Sequence, residues 1–169
     1  MQIILEGIRN IILADPYMKT KSSSDPRFNV GPLQVHTRHI SELGNTPGLP
    51  CITLTVVGGK SDPWNISLGY HTVQLDIWGQ KGYEQVMTMY EDWSDSTVHQ
   101  YGSARGLKPL LHGQHYTLSS GITLVFHETF VQNRKESTGS YYNVVSRYKV
   151  FSKNRDRKST RLNSSHGYI

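Results

Sequence analysis

The chain is short of covalent fastenings: Cys51 is its single cysteine, so no intrachain disulfide can form and the fold must rest on packing. That shortage suits synthesis in a cytosol. Long apolar runs are also missing. Met1 to Ala14 is apolar but carries Glu6 and no preceding basic run. It falls well short of the ~20 residues of a membrane span, which excludes a signal peptide, an anchor and a membrane partner. Charged residues are sparse too, at 18%, too few for a chain kept disordered by self-repulsion. Two glycosylation sequons, Asn65-Ile66-Ser67 and Asn163-Ser164-Ser165, are read as chance matches because no export signal accompanies them.

A single-sign field is the next absence. The formal charge is +5, yet the segment from Lys153 onward holds five basic residues and one acid, and so accounts for four of the five. The body through Ser152 has 13 basic against 12 acidic residues and lacks the field that drives sequence-independent phosphate binding. Residues 153–169 have no periodicity and should be disordered alone. A basic tail of this kind could touch DNA. Within it, Arg157-Lys158-Ser159-Thr160-Arg161-Leu162-Asn163-Ser164-Ser165-His166 resembles a translated sequencing-adapter segment, the reading preferred here.

What remains is one domain over residues 1–152, a size that accommodates one core. Ile4, Ile8, Ile11 and Ile12 fall on one helical face, which predicts a helix from Gln2 to about Ala14, ended by Asp15-Pro16. Residues 19–32 are polar and turn-rich, an exposed loop, and Val35 to Ile40 is a short strand. Cys51 to Val57 alternates Ile52, Leu54 and Val56 against Thr53 and Thr55, a half-buried strand broken by Gly58-Gly59. Tyr70 to Trp78 alternates in the same way, and a flap bearing Trp64 protrudes between the two. Tyr83, Val86, Met87, Tyr90 and Trp93 recur at helical spacing and form the core face of a second helix. Residues 102–113 read as a loop and Tyr116 to Leu118 as a short strand. Ile122 to Val131 and Tyr142 to Phe151 form a hairpin whose polar tip, Gln132 to Ser140, projects outward. The expected architecture is α+β: a two-layer sandwich, with a four- to five-stranded, mainly antiparallel sheet and two helices packed on one face.

Residues with chemical potential do not gather into a recognisable machine. His112 and His115, with His36 and His39, are the closest histidine pairs, but no Cys or acidic cluster completes a zinc set. Cys51 opens an apolar strand, and no serine sits in a Gly-x-Ser-x-Gly elbow. Gly58-Gly59-Lys60-Ser61 lacks the spacing of a phosphate loop and reads as a turn. Asp76 and the pair Glu91-Asp92 are expected on solvated faces. The expectation is therefore a chain that is not an enzyme and uses no metal or cofactor. The aromatic residues, ten tyrosines and three tryptophans, exceed what a small core requires and suit subunit contacts.

The order of segments carries a resemblance: the N-terminal helix, then Leu49-Pro50-Cys51-Ile52-Thr53-Leu54, then Val73-Gln74-Leu75-Asp76-Ile77-Trp78 leading into the helix from Tyr83, then a hairpin ending in Val145-Ser146-Arg147-Tyr148-Lys149-Val150. Over residues 1–152 this resembles the tail-terminator (tail-completion) proteins of long-tailed bacteriophages. The resemblance implies a virion protein assembled in the host cytoplasm as a ring, usually hexameric. Such a ring ends the tail tube and joins it to the head connector or stopper, while genomic DNA passes through its lumen. Lys19 to Pro32 and Ser61 to Leu68 depart from the family pattern. Trp64, Arg134, Lys135 and Glu136 are the candidate contacts between rings or at the lumen. Two alternatives stand beside it: a head–tail connector or stopper, and a nucleic-acid-binding module using the basic tail and exposed tyrosines.

Overall fold

The computed structural model describes residues 2–19, 33–43, 48–60, 70–93, 104–135 and 141–154. Helix α1, Gln2–Ala14, has the predicted bounds and buries Ile4, Ile8 and Ile12. The Asp15 side chain then accepts from Met18 N at 2.8 Å and starts a short turn, α2, over 16–19. Strand β1 is Gln34–His36, followed by a 3-10 turn at Ile40–Glu42. Long strands β2, Cys51–Lys60, and β3, Tyr70–Gly79, lead to helix α3, Tyr83–Tyr90. Helix α4, Leu107–Leu111, precedes β4, His115–Thr117, and the closing hairpin of β5, Ile122–Lys135, and β6, Tyr142–Asn154.

The six strands form one mixed sheet in the order β1-β2-β3-β6-β5-β4, curled into a half-barrel. The expected four to five strands are thus corrected to six. The sequence marked short strands at 35–40 and 116–118, and the structure brings both edge strands, β1 and β4, into the one sheet. Only the β1–β2 pair is parallel. The last strand, β6, lies in the middle, with Leu75 opposite Ser146 on one side and Phe126 opposite Val150 on the other.

One sheet face carries Ile52, Leu54, Val73, Leu75, Ile77, Leu124, Phe126, Val144, Tyr148 and Val150, and α1, α3 and α4 cover it with Ile8, Ile12, Val86, Met89, Leu107 and Leu111. Burying side chains of this size stabilises by roughly 1.5–3 kcal/mol each, which is what holds the two layers together. A smaller cluster of Leu49, Cys51 and Trp78, flanked by Ile40 and Tyr141, closes one end of the opposite face. Cys51 and Thr53 are therefore buried as well, and β2 is covered on both faces from Cys51 to Leu54, where a half-buried strand was expected.

Four further expectations are corrected. Gly58-Gly59 does not break β2: the strand runs on to Lys60 through a bulge between Val56 and Gly58, absorbing what read as a turn. The second helix ends at Tyr90. Its buried side is Val86, Met89 and Tyr90, with Tyr83 and Trp93 largely exposed, because the sheet meets the helix about one position round from the stripe of large residues. The loop expected at 102–113 contains α4, which tolerates Pro109 because proline's missing N–H falls in the first turn, where no intrahelical acceptor is needed. Finally, Gln132 to Lys135 belong to β5, where Arg134 faces Asn143 and Lys135 faces Tyr142, so the polar tip starts later than predicted.

Two glycines fix how the layers meet. A Cβ on Gly79 would lie 2.6 Å from Gln85 Oε1 and 2.7 Å from Val86 Cγ1, so the bare backbone lets α3 fold straight back onto β3. Gly106, at φ 115°, precedes α4 where a Cβ would lie 2.8 Å from the Met89 carbonyl oxygen and 2.9 Å from that of Tyr90.

Candidate interaction surfaces

The sheet face opposite the helices is where the unabsorbed chemistry lies. Arg147 Nε donates to Gln74 Oε1 at 2.9 Å, and Gln74 Nε2 donates to Asp76 Oδ2 at 3.0 Å. Asn143 Nδ2 reaches Asp76 Oδ1 at 3.4 Å. Asp76 is 2% exposed, not solvated as expected, because strands on both sides hold it within the sheet. The Arg147 guanidinium also sits 5.0 Å from the centre of the Phe130 ring, and Lys149 Nζ lies 5.0 Å from that of Tyr70, which packs on Phe151. At the far end Trp78 Nε1 donates to Thr53 Oγ1 at 3.0 Å. The result is a surface of paired polar groups and half-exposed aromatic rings, the composition of a wet protein contact.

Of the four sequence-predicted contact residues, Trp64 and Glu136 lie outside the described residues. Arg134 and Lys135 stand at the end of β5 rather than on a loop. Arg134 is exposed and its guanidinium donates to Gln132 Oε1 at 2.9 and 3.0 Å on its own strand. Sequence reasoning missed Gln74, Asp76, Arg147 and Lys149 as a group. The signal available was polar residues two apart on each of two strands, but it means something only once β3 and β6 are known to be neighbours.

The described histidines do not converge. Among the described residues no three His, Cys, Asp or Glu side chains are placed to hold a metal ion. His112 stacks near His127, with ring centres 5.6 Å apart, and accepts from the Glu128 backbone N–H through Nδ1. His36 has its pKa lowered by burial and by nearby Arg9, whose Nε donates to the Val35 carbonyl at 2.9 Å. Burial pushes the Cys51 thiol up to about 12, so this cysteine behaves as a small core residue. Tyr90 donates to Glu128 Oε1 at 2.6 Å, and burial first and this carboxylate second raise its pKa.

A groove of about 660 Å³ opens between the α1–α2 junction and α4, lined by Asp15, Tyr17, Arg105, Pro109, Leu110 and Tyr116. Its polar groups serve the fold. Tyr17 donates to Asp92, Arg105 lies 5.6 Å from the centre of the Tyr17 ring, and Tyr116 donates to the Leu110 carbonyl at 2.5 Å. Asp92 is thereby buried at 5% exposure, where the sequence reading placed it in solvent. Among the described residues no helix is long and apolar enough to cross a membrane.

No protein-family model and no curated protein matches the chain. Among solved structures, the chain is similar in fold to a chain of a "Virion of native gene transfer agent (GTA) particle". The TM-score is 0.53 at 10% sequence identity, over 89% of this chain and 95% of that one. At that identity the likeness is one of fold.

Proposed function

We propose that this chain is a structural subunit of a phage-like virion, not an enzyme, and that it assembles as a ring that ends the tail tube and joins it to the head connector. The carrying observation is the fold likeness to a virion chain, spanning nearly the whole of both chains. The segment order that resembles tail terminators supports the finer role. The open sheet face supports it too, since its cations are spent on neighbouring rings and amides rather than grouped around a cleft. Subunits of this kind work by geometry: contacts that close after a fixed rotation stop growth, while the two ends of the ring match different neighbours. The partners in this reading are further copies of the chain, the tube protein on one side and the connector or stopper on the other, with DNA passing through unread.

Native mass measurement of the purified full chain tests the proposal. A closed oligomer of one defined number is expected, and strict monomers at tens of micromolar would overturn it. Imaging of particles then decides the finer role by the axial position of the ring: on the last tube ring it is a terminator, directly under the portal it is a stopper.

A further inference from the structure

Among the described residues, the registers leave two stretches of backbone without a strand beside them. β1 covers only Cys51–Thr53 of β2, so from Leu54 to Lys60 that strand is paired, among the described residues, on its β3 side alone. On the other flank β4 reaches only Thr123–Val125 of β5, and two further bonds tie Phe126 to Gly113 and Gln114. From Phe130 to Lys135, β5 is paired on its β6 side alone among the described residues. Natural edges are normally short, charged or covered, because a row of unmet N–H and C=O groups templates association. These two are long, and large apolar side chains lie exposed on them: Val57 at 48%, Phe130 at 37% and Val131 at 47%.

We infer that the free edge of β2 in one copy pairs antiparallel with the free edge of β5 in the next copy, so that the sheet continues from subunit to subunit. This rests on the ring reading and specifies its contact. The occupant is a second copy because the two edges fit one another. Traced through β3 and β6, Leu54–Lys60 spans the rungs of Ser146 to Phe151, and Phe130–Lys135 those of Arg147 to Tyr142, six rungs each. They are the outer two of four long strands that alternate in direction, β2-β3-β6-β5, so β2 and β5 point in opposite directions. A copy placed by rotation therefore presents an antiparallel neighbour with its helices on the same side.

The offset fits as well. The centres of the two free stretches lie about four rungs apart along the strands, which at ~3.3 Å per residue is ~13 Å over a four-strand width of ~19 Å. Strands tilted by about 35° bring the stretches level, close to the ~35–45° that closed barrels require. An even offset keeps like faces together and sets Thr55 opposite Arg134, Gly58 opposite Gln132 and Gly59 opposite Val131. A side chain on Gly58 would meet nothing within 4 Å, so this glycine leaves room for Gln132 of the incoming strand, whereas the space beside Gly59 is taken by Tyr70 and His71 of its own chain.

The test uses the full chain carrying T55C, R134C or both, oxidised with copper–phenanthroline after its native mass is recorded. Cys51 is buried with its thiol pKa pushed up to about 12 and stays out of the reaction. The expected result is a disulfide ladder, up to the native oligomer number, from the double variant, and a cross-linked dimer only when the two single variants are mixed. T55C cross-linking to itself would mean a two-fold contact through β2 and would overturn the inference. So would a closed oligomer in which the double variant forms no cross-link. A strictly monomeric mass sinks the ring reading itself, which the other outcomes leave standing. Hydrogen exchange on the unmodified oligomer gives a check without substitution: protection at 54–60 and 130–135 is expected, and fast exchange at both overturns the pairing.

Discussion

Tyr148 and Tyr90 show how differently two tyrosines of one core can behave. Tyr148 is fully buried and no hydrogen bond of good geometry reaches its hydroxyl, which has Glu128 and Ser146 as polar neighbours, so removing that oxygen costs little. Tyr90 donates to the Glu128 carboxylate, and removing its oxygen strands a charged acceptor. Urea melts should show Tyr148→Phe unchanged or up to ~1 kcal/mol more stable, and Tyr90→Phe less stable by ~1.5–3 kcal/mol. The lowered pKa of His36 makes a further prediction. Near pH 6.5 and below, the unfolded chain takes a proton at this position that the folded chain resists, so stability falls as pH drops through that range and is complete above it. In His36→Gln the dependence should flatten, read as Tm between pH 5 and 7.5. Little of this was visible in the sequence. Asp76 and Asp92 looked like surface acids, since a single chain pattern does not show which neighbours will seal a carboxylate in.

Elements were more legible than residues. Helix α1 emerged with its bounds because a strong apolar stripe met a proline stop, and the long strands emerged because β-branched residues alternate along them. The failures have one cause, which is that tertiary contact overrode local punctuation. β2 passes through two glycines because β3 holds it in register, and α3 buries Met89 instead of Trp93 because of where the sheet lies. The open face, and with it the candidate site, was hardly legible, since it exists only through the pairing of β3 with β6. The tight approach of α3 to β3 supplies the test at this scale. Gly79→Ala puts a methyl group within 2.6 Å of Gln85 Oε1 and 2.7 Å of Val86 Cγ1 and must push the helix outward. A loss of ~1–3 kcal/mol is expected in thermal melts, with Val86→Ala in the same background recovering part of it by making room.

For the whole molecule, the place of β6 decides the order of events at birth. Among the described strands, the sheet's two halves, β1-β2-β3 and β5-β4, are joined by β6, whose Ser146 pairs with Leu75, 71 positions earlier. A nascent chain can build the first hairpin early but cannot unite its core until β6 leaves the ribosome, and such distant pairing is slow. A chain ending at Tyr141 should therefore give no cooperative melt, even though α1, β2 and β3 are all present in it. Subunits halted partway through synthesis would lack both the join and the finished β5 flank. On the proposed ring reading, a half-made copy would be kept out of the ring, with the order of translation acting as quality control.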